Sequence, residues 1–164
     1  MAMRLATTFI EVDTQSREPA ETIHKAFCPI GSIDGAGTIA VSAFEAVIPT
    51  KQMVFRGVRF EVTGSGEFDR TGTVTVAQDN AEKLISSLDN MASSRIERQG
   101  FPMVEVETEV DGLRIIVFNM RNGKVVALVE ADGESIYLNS QSDLFDLSKL
   151  ASLALDHLRS TERS

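Results

Sequence analysis

Two histidines, one cysteine and a row of glutamates are the residues of this chain with most chemistry to offer. His24 and Cys28 lie four positions apart, a spacing that puts both on one side of a helical turn. A zinc site needs three or four ligands, and the remaining histidine, His157, lies near the opposite end of the sequence. Cys28 as a nucleophile with His24 as its base needs the two held within hydrogen-bond reach, and nothing else in the sequence supports that pairing. Chance adjacency is the favoured reading. Glu105, Glu107 and Glu109 alternate, so on a strand they stand in a row roughly 7 Å apart on one face. Such a row can hold a divalent cation or supply paired carboxylates. More often it marks the wet face of a sheet or guards an edge against pairing.

The glycine-rich segment Gly31-Ser32-Ile33-Asp34-Gly35-Ala36-Gly37 lacks the Gly-Lys-Ser/Thr ending of a phosphate loop. It also leads into a strand-like stretch, whereas an anion-holding loop opens a helix. It reads as the approach to a strand. Arg56, Arg59, Arg70, Arg114 and Arg121 form the candidate phosphate-contacting set for a nucleic-acid reading, with Arg59 and Arg114 at matching places in two similar segments. Interleaved Glu61, Glu67 and Asp69 favour a mixed-charge surface instead. No catalytic, metal-binding or cofactor-binding residue is assigned, and no cofactor is expected.

The elements that must position these residues follow from periodicity. Gly57-Val58-Arg59-Phe60-Glu61-Val62 and Gly112-Leu113-Arg114-Ile115-Ile116-Val117 echo each other, and each leads through strand-like sequence to an amphipathic helix. Residues 4–12 read as a first strand, and residues 14–37, with Pro19, Pro29 and several glycines, as a long loop holding one or two helical turns at 20–27. Strand alternation runs through 38–48, 55–62 and 73–76. A helix is expected over Asp79–Gln99, opened by Asp79 with Glu82 and closed by Gly100 and Pro102.

Beyond it, 103–110, 113–120, 124–131 and 135–139 alternate as four strands, joined by Asp111-Gly112, Asn122-Gly123 and Asp132-Gly133, which are strong hairpin turns. A second helix is expected over Ser142–Arg159. The fold class is therefore α+β: an antiparallel sheet of seven to eight strands with two packed helices, with a duplicated ββββα unit as the alternative to an unrepeated one. Residues 1–164 form one domain, or two intimately packed halves, 1–100 and 101–164.

One surplus stands out. On the strand 113–120, Leu113, Ile115 and Val117 supply one face, while Ile116, Phe118 and Met120 supply the other. Val126 and Leu128 on the next strand join that second face. A sheet that is apolar on both sides must be covered on both. Ile116, Phe118, Met120, Val126 and Leu128 are thus the candidate interface, covered by the other half of the chain or by a second subunit.

Composition bounds the partners. At 164 residues the chain can bury roughly 70% of its extended surface, enough for an independent core. Net charge is −8, and it is even: residues 1–82 carry 7 basic and 11 acidic side chains and residues 83–164 carry 9 and 13, so each half is −4. Binding that depends on neutralising phosphates is disfavoured, for nucleic acid and for anionic membranes alike. A single cysteine precludes an internal disulfide, and no apolar run suggests a leader or a membrane span, so a cytoplasmic protein is expected.

The leading expectation is a non-catalytic protein-interaction module, adaptor, chaperone-like or regulatory, acting as a homodimer. Four antiparallel strands followed by a helix resembles the element order of the PC4/Whirly type of single-stranded nucleic-acid binder, which is the second expectation. A small enzyme with residues 14–37 as a lid is the third.

Overall fold

The structure, a computed structural model, describes residues 2–5, 9–13, 23–48, 52–64, 70–93, 105–119 and 125–162. Ten strands and two helices occur among them: β1 (Ala2–Leu5), β2 (Phe9–Asp13), β3 (Ile23–Asp34), β4 (Thr38–Ile48), β5 (Met53–Thr63), β6 (Thr71–Ala77), α1 (Gln78–Ser93), β7 (Glu105–Val110), β8 (Leu113–Asn119), β9 (Val125–Ala131), β10 (Glu134–Leu138) and α2 (Gln141–Glu162). The expected α+β class, with antiparallel pairing throughout, holds.

The strands divide between two sheets. The first is the meander β3-β4-β5-β6, with β1 and β2 both added along the free edge of β3. The second is the meander β7-β8-β9-β10. Each meander is followed by its helix, so the order ββββα occurs twice.

With each meander numbered from its own first strand, buried residues recur at corresponding register positions of the second and third strands. Ile39 and Val41 on the second strand of the first unit answer to Leu113 and Ile115, and Phe60 and Val62 on its third strand answer to Val129 and Ala131. All eight are fully buried. The Gly-x-Arg echo does not follow this scheme. It equates β5, third in its unit, with β8, second in its unit, so Arg59 and Arg114 hold unlike positions.

Residues 23–34, expected to be loop and helical turn, are instead a twelve-residue strand paired on both sides. Pro29 and Gly31 are tolerated because the register with β4 shifts between them, leaving Ile30 as the extra residue of a bulge. A bulge is where a strand can absorb a residue that has no N–H to give. Residues 4–12, expected as one strand, supply two short ones. The rest of the expected lid, 14–22, lies outside the described residues.

Both helices carry the apolar stripe that their periodicity implied. Ala81, Leu84, Leu88, Met91 and Ala92 of α1, and Leu144, Leu147, Leu150, Ala151, Ala154, Leu155 and Leu158 of α2, are buried in one continuous core with the inner faces of both sheets. The helices lie antiparallel, tied by Ser148 Oγ donating to Asp89 Oδ1 at 2.5 Å and by an Arg159–Glu82 ion pair.

The expected Asp79/Glu82 cap is replaced. Asp111, in the β7–β8 turn, accepts from the Ala77 backbone N–H and from Asn80 Nδ2, each at 2.9 Å, so a residue of the second unit caps the helix of the first. At α2, Ser140 takes the capping place, its Oγ and carbonyl both accepting from Asp143 N–H.

The two sheets meet at glycines. A Cβ on Gly72 would overlap the carbonyl oxygen of Ala131, and one on Gly37 would stand 2.6 Å from Ile136 Cγ2. Only a residue without a side chain lets the backbones approach this closely.

Candidate interaction surface

Strand alternation assigns each candidate side chain to a face. In the second sheet, Leu113, Ile115, Val117, Ala127, Val129 and Ile136 face the core. Ile116, Phe118, Val126 and Leu128 therefore lie on the opposite, outer face, where the pairings Ile116–Leu128 and Phe118–Val126 set them side by side. Ile116 is 6% exposed, the other three are half-buried, and Tyr137, across from Leu128, is 54% exposed. The surplus apolar residues are thus brought together, and it is their neighbours, not they, that meet the first sheet. Met120 lies outside the described residues.

One end of this face is charged. Arg114 Nε donates to Glu107 Oε1 at 2.5 Å across the β7–β8 pairing. That bond holds the Glu107 carboxyl below its ordinary range and raises the Arg114 guanidinium, although both are open to solvent. Glu109 and Glu130 flank the same arginine on the adjacent strands. Carboxylates here outnumber cations.

The arginines of the nucleic-acid reading do not form a common face. Arg56 shares the inner face of β5 with Val58, Phe60 and Val62. Its Nη2 pairs with Glu45 at 2.7 Å, and its Nη1 donates to the Leu158 carbonyl and to Thr161 Oγ1 at the end of α2. A cation there satisfies carbonyls at a helix C-terminus, where the dipole favours it. Arg59 projects from the outer face of the same strand, pairs with Glu61 at 3.1 Å and lies over the rings of Phe27 and Phe44, at 4.5 and 5.7 Å from their centroids. Arg114 belongs to the other sheet. Arg70 is exposed just before β6, and Arg121 is outside the described residues.

The Phe27–Phe44 pair, 5.1 Å between centroids, extends to Phe55 at 6.2 Å, which is 44% exposed. The sequence hides this cluster because Pro29 and Gly31 give β3 the composition of a loop. Its signal was the alternation Lys25, Phe27, Pro29 beside Ser42, Phe44, Ala46.

A cleft of about 220 Å³ opens between the end of α2 and strands β3 and β4, and Cys28, Glu45 and His157 are among its lining residues. The thiol therefore shares a cleft with His157, a pairing no sequence spacing suggests. Among the described residues no group of three or more histidines, cysteines or carboxylates is arranged to hold a metal ion. None of their helices is long and apolar enough to cross a membrane. Compared with known proteins, the chain matches no family model and no curated sequence.

Proposed function

We propose that this protein is a non-catalytic interaction module, of adaptor, chaperone-like or regulatory type, that acts in the cytoplasm as a homodimer formed through the outer face of the second sheet. The observation that carries the reading is the apolar cluster Ile116, Phe118, Val126, Leu128 and Tyr137 on the side of the sheet turned away from the core. Ile116 is already buried among its neighbours and Phe118, Val126 and Leu128 are half-buried, so what a partner recovers is the apolar surface these three and Tyr137 still expose. A second copy suits it because the centre of the patch carries no charge, so docking it on itself across a two-fold axis sets no like charges together.

The charged end, with Arg114 among carboxylates, falls at the rim, where solvent screens it. The test is the oligomeric state of the wild type and of Phe118→Asp, in which a carboxylate is placed at the centre of the contact.

A second reading is single-stranded nucleic-acid binding. What favours it is the element order: ββββα, the order that resembles PC4/Whirly-type binders, occurs in both halves of the chain. Against it stand the scattered arginines, three of them already paired to carboxylates, and the net charge of −8. Titration of a labelled single-stranded oligonucleotide at physiological salt separates the two. Submicromolar affinity that falls steeply with salt supports the second reading and displaces the first.

A further inference from the structure

The two units differ at one edge. In the first, the leading strand β3 has its outer edge filled by β1 and β2, both antiparallel. In the second, the leading strand β7 holds the equivalent place, and among the described residues it pairs with β8 alone. No described strand takes up the N–H and C=O groups of its far edge, which are what an added strand pairs with. In the first meander, then, the leading strand accepts added strands along this edge.

Side chains select what kind of strand. Glu107 and Glu109 are exposed on the outer face of β7. Arg114 is the cation they share with Glu130 of β9, so the edge is left with an excess of negative charge. On the other face Val106 is 37% exposed, although its alternation partners Thr108 and Val110 turn toward the core. A second copy of β7 is a poor occupant. Antiparallel pairing of two such edges sets one row of glutamates beside another, and like charges across strands destabilise.

We infer that the edge of β7 away from β8, unpaired among the described residues, is a strand-addition site for an extended basic segment of a partner protein, in which Lys or Arg on one face alternates with apolar residues on the other. The cations lie along Glu107 and Glu109, the apolar side chains continue the face of Val106, and the main chain closes the ladder. The partner is not the second copy proposed above: the added strand takes up the backbone edge of β7, while Glu107 and Glu109 stand at the rim of the outer face that carries the apolar patch.

The experiment is fluorescence anisotropy with a labelled, capped peptide alternating lysine with valine, against a control alternating glutamate with valine. Hydrogen exchange read by mass spectrometry locates the contact. The lysine peptide is expected to bind and to slow exchange across 105–110, while the glutamate peptide is not. In Glu107→Gln/Glu109→Lys, whose altered side chains are exposed and whose fold circular dichroism checks, affinity for the lysine peptide falls about tenfold or more, equivalent to roughly 1.4 kcal/mol. Equal binding of both peptides, no binding at all, or protection lying elsewhere than β7 each overturns the proposal. The two-peptide comparison on the wild type stands even where the variant fails to fold.

Discussion

Glu107 and Arg114 show what a single exposed contact does and does not do. The 2.5 Å bond lowers the carboxyl and raises the guanidinium, yet both groups are solvent-exposed, so its effect is on titration more than on stability. A depressed carboxyl pKa contributes what it has above the unfolded value and loses it as pH falls through the folded one. Arg114→Leu is therefore expected to move the Glu107 carboxyl midpoint upward toward its ordinary value, read from carboxyl chemical shifts during an acid titration. A midpoint unchanged by the substitution contradicts the assignment.

Gly72 is the opposite kind of residue, since space and not charge decides it. Any Cβ there meets the Ala131 carbonyl, which is backbone and cannot turn away. Gly72→Ala should cost about 2 kcal/mol or more in urea denaturation, within the range of overpacked sites. Gly133→Ala meets nothing within 4 Å and carries only the strain of φ +81°, so about 1 kcal/mol is expected. Equal losses at the two sites are the result that would contradict this account of the inter-sheet contact.

At the scale of elements, the hairpins and helices were legible and the longest strand was not. Asp111-Gly112 and Asp132-Gly133 adopt positive φ at both positions, 49° and 90° in the first and 48° and 81° in the second, as two-residue hairpins with these residues require. The helical stripes were legible because one face of each helix is buried and the other wet. β3 was hidden because Pro29 and Gly31 are loop residues by composition, and only the pairing with β4 shows that a bulge accommodates them.

Arg56 could have been read correctly. It shares parity with Val58 and Phe60, which already put it on the inner face, away from Arg59. The cap of α1 could not, since Asp111 lies 31 residues beyond Asn80 and reaches it only through the packing of the two units. Asp111→Ala is expected to cost about 1 kcal/mol or slightly more, because it removes a cap and also places alanine at a φ of +49°. Asp111→Asn, which keeps an acceptor and tolerates that conformation, should stay close to wild type. Thermal or urea unfolding checks the pair.

At the scale of the molecule, the described residues form a six-stranded and a four-stranded sheet with two helices around one core, and the functional question concerns which surfaces remain. The core explains why Leu113, Ile115 and Val117 are apolar. It does not explain Ile116, Phe118, Val126 and Leu128, which the same strands turn the other way. Sequence alternation identified this surplus but left its cover open, because whether another half of the chain lies over a face is a matter of long-range packing. The central claim is that a second copy covers it.

Sedimentation of the wild type and of Phe118→Asp, with circular dichroism on both, tests that claim most directly. A carboxylate forced into the dimer contact costs about 3–5 kcal/mol, as an unpaired buried charge does. A dimeric wild type and a folded monomeric variant are the predicted result. A wild type that remains monomeric at high concentration, or a variant that unfolds without first dissociating, would contradict it.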